Sequence, residues 1–114
     1  MLTKVNLLDA VGGVPELFQY IKIGQLNDHM LNVLQCENRT LDFHVHDSSD
    51  EMFYVIDGCF KIELDDGFVP LQTGDMVIIP KGTRHRPVVT TLVKCLLIEV
   101  DGTLNAENTG GGVL

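Results

Sequence analysis

The sequence predicts an all-β domain of the sandwich or barrel type, and three observations carry that expectation. From Leu17 onward the apolar residues come in short runs rich in Val, Ile, Leu and Phe, broken about every eight to twelve residues by Gly, Asp, Asn or Pro. The breaks carry turn chemistry, as at Asp57-Gly58 and Asp65-Asp66-Gly67, residues that tolerate positive φ. No window of about eleven residues keeps its apolar positions at helical spacing.

Taken in order, the segment from Asn6 to Phe18 has room for one short turn of helix. Strands are expected at 17–23, 30–37, 40–46, 51–56, 60–64, 68–71, 76–79 and 92–100. Asp57-Gly58 separates the fourth from the fifth, and Asp65-Asp66-Gly67 is the hairpin signal between the fifth and sixth. Pro80-Lys81-Gly82 ends the seventh, because proline cannot donate to a ladder and glycine can reverse the chain. The run Asn108-Thr109-Gly110-Gly111-Gly112 reads as a frayed tail. The expected organisation is a lead segment over 1–16, a barrel over 17–104 and a flexible tail over 105–114.

A chain of 114 residues holds one domain, and at that length folding buries roughly two-thirds of the unfolded surface. Charged residues are 21% and hydrophobic residues 45%, a globular balance and not a disordered one. The formal net charge of -8 repels phosphate backbones and anionic lipid, which argues against nucleic acid and membrane surfaces as partners. Apolar stretches such as Met76 to Ile79 and Cys95 to Ile98 fall far below the roughly 20 residues of a spanning helix, and no basic start leads into an apolar run. The expectation is a soluble, cytoplasmic protein. Cys36, Cys59 and Cys95 are odd in number and show no C-x-x-C pairing, so they read as reduced and mostly buried thiols.

Three of the four histidines fall in two short segments, 43–51 and 80–85. His44 and His46, two apart on a strand, project from one face with ring nitrogens close enough to share an ion. The loop Asp47 to Asp50 returns the chain, and Glu51 opens the next strand with its carboxylate available to the same point. His85 can join them through closure of a barrel. A lone histidine such as His29 is, by contrast, an ordinary packed or surface side chain. Three imidazoles and a carboxylate suit a first-row transition metal better than calcium or magnesium, and zinc, iron, manganese, nickel and copper all remain open. Four protein ligands in an octahedral shell leave two positions for water, dioxygen or substrate oxygens.

The same residues resemble the two motifs of the cupin superfamily. His44, His46, Glu51 and Gly58 stand at the spacing of the first, and Gly74, Pro80, Gly82 and His85 at that of the second. Asn38 stands where the family has a glycine, and asparagine is the residue that best replaces glycine in a left-handed conformation. Val89 stands where an asparagine often follows the last histidine, so any hydrogen bond from that side chain is missing. The resemblance implies a conical jelly-roll β-barrel, or double-stranded β-helix, a single six-coordinate metal held by His44, His46, Glu51 and His85, and a homodimer. The stretch 81–87 with Leu97-Ile98-Glu99 and the later Gly102-Thr103-Leu104-Asn105 is similar to small bacterial cupins labelled mannose-6-phosphate isomerase-like, a label of fold kinship and not of activity.

Function is expected to follow from that metal. One reading is an enzyme that polarises oxygens of a small organic molecule, in dioxygenase-like or isomerase-like chemistry, within a pocket lined by residues such as Phe53, Met76 and Ile78. The other is a module that captures a small molecule or sugar without turning it over. Strand alternation from His85 sends Arg84 and Arg86 to the opposite face, where they are solvated or interfacial charges. Leu41, Phe43 and Val45 alternate with the two histidines, and this outward apolar stripe is the expected dimer face.

Overall fold

The structure, a computed structural model, describes residues 2–103. One helix, α1 (Leu7–Gly12), precedes nine strands: β1 (Ile21–Leu26), β2 (His29–Cys36), β3 (Arg39–Thr40), β4 (Glu51–Asp57), β5 (Cys59–Leu64), β6 (Gly67–Gln72), β7 (Met76–Ile79), β8 (His85–Val89) and β9 (Val93–Val100). They form a five-stranded sheet in the order β1-β2-β9-β4-β7 and a four-stranded sheet in the order β3-β8-β5-β6. All the strand pairs are antiparallel. Neighbours such as β2 and β9, or β4 and β9, are far apart in sequence, as in a jelly roll.

The main core lies between the inner faces of the two sheets and includes Leu34, Cys36, Phe53, Val55, Phe60, Ile62, Val89, Cys95 and Leu97. The period-2 alternation explains their selection, since in β4 Glu51, Phe53 and Val55 are buried while Met52, Tyr54 and Ile56 are only partly so. A smaller core sits on the outer face of the five-stranded sheet. There Val11 of α1 packs with Val33 and Leu96, flanked by Ile21, Tyr54 and Ile98. The helix starts at Asn6, whose Oδ1 accepts the Asp9 N–H at 3.0 Å. Gln35 Nε2 donates to the Val11 carbonyl at 2.8 Å and ties its far end to β2. The outer sheet face is thus covered by the helix of the lead segment, while β1 extends the sheet at one edge.

Turn chemistry follows the sequence at the motif positions. Asn38 holds φ 49 between β2 and β3, the left-handed conformation expected for an asparagine in place of glycine. Gly58 sits at φ 112, and a Cβ there would lie 2.6 Å from the Leu92 carbonyl oxygen, so this turn admits no side chain.

Four expectations need correction. The first strand begins at Ile21 and runs to Leu26, with a bulge between Lys22 and Gly24. Residues 85–89 form β8, a strand that Arg86 and Pro87 disguise in the sequence. The strand expected over 40–46 is broken: Arg39 and Thr40 pair with β8, Leu41 N–H donates to the Pro87 carbonyl at 3.1 Å, and pairing resumes at a single His44–His85 bridge. Between Thr40↔Val88 and His44↔His85 the register slips by one residue, next to Pro87, which has no N–H to offer. That slip removes Leu41 from the apolar stripe. Leu41 turns into the core, and Phe43 is partly buried beneath the Arg84 and Arg86 guanidinium groups. The tail expected over 105–114 lies outside the described residues. No helix among the described residues is long and apolar enough to cross a membrane.

Candidate metal centre

His44 and His46 lie on the segment that leads from β3 towards β4, Glu51 is the first residue of β4, and His85 is the first of β8. The bridge between His44 and His85 exchanges both backbone bonds, His44 N–H to His85 O at 3.0 Å and His85 N–H to His44 O at 3.1 Å. Directly opposed residues put their side chains on one face, and the two rings meet with centroids 4.5 Å apart. His46 stands 5.1 Å from His44 and 5.6 Å from His85 by the same measure. Gly82 N–H donates to the His46 carbonyl at 2.8 Å, so the loop before β8 is tied to the histidine segment.

Glu51 closes the group. Its Oε2 lies 3.1 Å from His46 Nε2 and its Oε1 3.2 Å from His85 Nε2. All four residues expected as ligands are therefore brought to one corner of the barrel interior, where Glu51 and His46 are 3% exposed and His85 is 1% exposed. His29 stays away, at the start of β2, paired with Asp28 at 2.9 Å.

The donor set fits a cation. His44 Nδ1 faces the Asp42 carbonyl at 2.8 Å and His85 Nδ1 faces the Thr83 carbonyl at 2.9 Å. A ring nitrogen facing a carbonyl must carry the hydrogen, which leaves Nε2 as the basic position in a neutral ring. The His85 Nε2 lone pair would then point at a carboxylate oxygen, an arrangement that either a proton or a metal ion relieves. Buried His46 Nδ1 has no hydrogen-bond partner at all. His44, His46 and His85 each present a ring nitrogen within 4.8 Å of the others, the spread of donors around one ion.

Electrostatics set the charge states. Burial by itself raises the Glu51 carboxyl, but hydrogen bonds with His46 and His85 outweigh it and hold the group down at about 2. Burial opposes the charged form of His85, yet the Glu51 and Thr83 contacts prevail and raise its pKa. Burial wins at His44, lowering its pKa and favouring the neutral ring that a metal needs.

Glu99, which no motif had marked as a ligand, belongs to the same corner. The β4–β9 register of Met52↔Ile98, taken one step further, sets Glu51 beside Glu99. Glu99 is 2% exposed, and neither of its oxygens receives an N–H or O–H donor, its side-chain neighbour being the Glu51 carboxylate. Burial, and then the charge of Glu51, push its pKa up to about 9. The signal was present in the sequence: in β9, Val93, Cys95, Leu97 and Glu99 share the inward face, and an acid that continues an apolar stripe needs a partner.

Two cavities adjoin this corner. A narrow one of about 40 Å³ is walled by Phe18, Tyr20, Phe53, Phe60 and Leu97 and reaches His44, His46 and Glu51. A second, of about 290 Å³, opens beside Tyr20, Lys22, Met30, Asn32 and Glu99. Met76 and Ile78, expected as pocket walls with Phe53, are instead 48% and 55% exposed, because β7 turns their face outward. Arg84 and Arg86 also point away, paired with Asp65 and Glu63 and stacked over Phe43.

Comparison with known proteins places this geometry. The family model described as "Cupin domain" matches residues 35–101. The uncharacterized protein YdbB of Bacillus subtilis (strain 168) is 37% identical over 82 residues, 71% of this chain and 72% of that protein. The polyketide synthase CurC of Streptomyces cyaneus is 27% identical over 66% of this chain, which spans 49% of CurC. The crystal structure of a cupin-2 domain containing protein from Shewanella frigidimarina superposes with a TM-score of 0.80 at 29% identity, covering 84% of this chain and 93% of that one.

Proposed function

The chain belongs to the cupin family, and from that premise we propose that it holds one divalent transition metal with His44, His46, Glu51 and His85 and uses it to act on a small organic molecule. The observation that carries this reading is the Glu51 carboxylate set between the Nε2 atoms of His46 and His85, with the outer nitrogens of His44 and His85 anchored to backbone carbonyls. A zinc, iron, manganese or nickel ion would supply a Lewis-acidic centre with positions free for substrate oxygens. The chain's own contribution is to orient the imidazoles and, with Phe53, Phe60 and Leu97, to keep water out of the corner.

Dioxygenase-like chemistry is favoured over the isomerisation of a sugar phosphate. A phosphate needs cations aimed at it, and Arg84 and Arg86 are engaged with Asp65 and Glu63 on the outer surface. The likeness to mannose-6-phosphate isomerase-like cupins is accordingly one of fold. The largely apolar walls suit a substrate with a carbon-rich body, and the name of the relative CurC, a polyketide synthase, agrees with such a molecule. The second reading, a cupin that binds a small molecule or sugar without turnover, draws on the narrowness of the inner cavity, about 40 Å³.

Metal analysis of protein purified without a nickel column tests the reading. Wild type is expected to carry about one ion per chain, His44→Ala and His85→Ala to lose about tenfold or more of it, and His29→Ala to keep it. Loss in His29→Ala with retention in His85→Ala would overturn the ligand set. Oxygen uptake by the metal-loaded protein with candidate substrates then separates enzyme from binder.

A further inference from the structure

We propose that Glu99 is a fifth protein donor, which ligates the ion together with His46 and Glu51 and makes one side of the centre rich in oxygen. The inference rests on the four-ligand reading above, since His46 and Glu51 serve both. Three observations support it. Ligand atoms of His46, Glu51 and Glu99 lie within 4.8 Å of one another, as do those of His44, His46 and His85, so His46 is common to both groups; one ion with bonds of about 2.1 Å would draw opposite donors to roughly 4.2 Å. The strand register sets Glu51 and Glu99 side by side on the inward face, an arrangement that repels unless something positive lies between the carboxyl groups. Both Glu99 oxygens are buried with no N–H or O–H group donating to them, their side-chain neighbour being the Glu51 carboxylate, whereas the buried ligand histidine His85 has its outer nitrogen anchored to the backbone.

Charge and access agree with the assignment. A divalent ion between two carboxylates and neutral imidazoles makes a site with no net charge, which lowers the cost of keeping it out of water. With five protein donors, an octahedral ion keeps one position for an outside ligand instead of two. Glu99 also lines the 290 Å³ cavity beside Tyr20, Lys22 and Asn32, which lies on its side of the centre. Two carboxylates favour the harder ions, manganese and iron, over copper.

The test uses manganese and zinc alone as probes on the full chain. Glu99→Gln keeps the shape and removes the anionic donor. It is expected to weaken manganese binding about tenfold or more by calorimetric titration and to weaken zinc less. Infrared difference spectra of the wild type, which do not depend on the variant folding, are expected to show two glutamate carboxylates shifting when manganese is added. Unchanged manganese affinity in folded Glu99→Gln, or a single carboxylate shifting in the wild type, would overturn the fifth ligand and leave the four-ligand reading intact. A wild type that binds neither ion would overturn both.

Discussion

Cysteine chemistry shows how far burial reaches at the scale of one residue. Cys36 and Cys95 are buried and Cys59 is exposed. Burial pushes the Cys36 thiol up to about 12, and it raises Cys95 as well. A thiol whose folded pKa exceeds its unfolded value of about 9 stabilises the native state at lower pH. That contribution is lost as pH rises from about 9 towards about 12. Above pH 9, urea unfolding is therefore expected to show declining stability, with a shallower decline in Cys36→Ala. At pH 8 a thiol reagent should label Cys59 alone in the native protein. Rapid native labelling of Cys36 would contradict the packing described for it. The sequence led to an expectation of reduced, mostly buried thiols, but which one is exposed depends on strand face.

Among the elements, α1 and the broken strand matter most. Val11 is fully buried against Val33 and Leu96 on the face of the five-stranded sheet opposite the metal corner. Val11→Ala should cost about 2 kcal/mol from two lost methyl groups and the cavity they leave. Metal content should stay at the wild-type level, because the sheet separates the two sites. A loss of metal in that variant would mean that the helix shapes the centre. The strand at 40–46 teaches the opposite lesson. Alternation placed Leu41 outward, and a one-residue slip beside Pro87 turned it inward. His44 and His46 kept their shared corner because both follow the slip.

For the whole molecule, the burial of Leu41 shortens the 41–45 stripe, and we propose that the homodimer implied by family resemblance uses another surface. The exposed apolar side chains Met76 and Ile78 lie on β7 and Phe68 on β6, strands that form one free edge of each sheet. These edges are our proposed contact with a second copy. Light scattering at micromolar concentration should give about twice 12.6 kDa, and Ile78→Lys should shift the mass towards that of a single chain. A wild-type mass near 12.6 kDa would refute the dimer.

What the amino-acid sequence determined by itself was the β class and most of the turns, and it marked His44, His46, Glu51 and His85 as the candidate donors. These are readable because side-chain period, turn chemistry and motif spacing are local properties. Only the tertiary structure decided that Glu99 stands beside Glu51, that Leu41 faces inward and that a helix covers the outer sheet. The first two depend on the register between strands distant in sequence, such as β4 and β9, where a shift of one residue reverses every face, and the third on packing of Val11 against Val33 and Leu96.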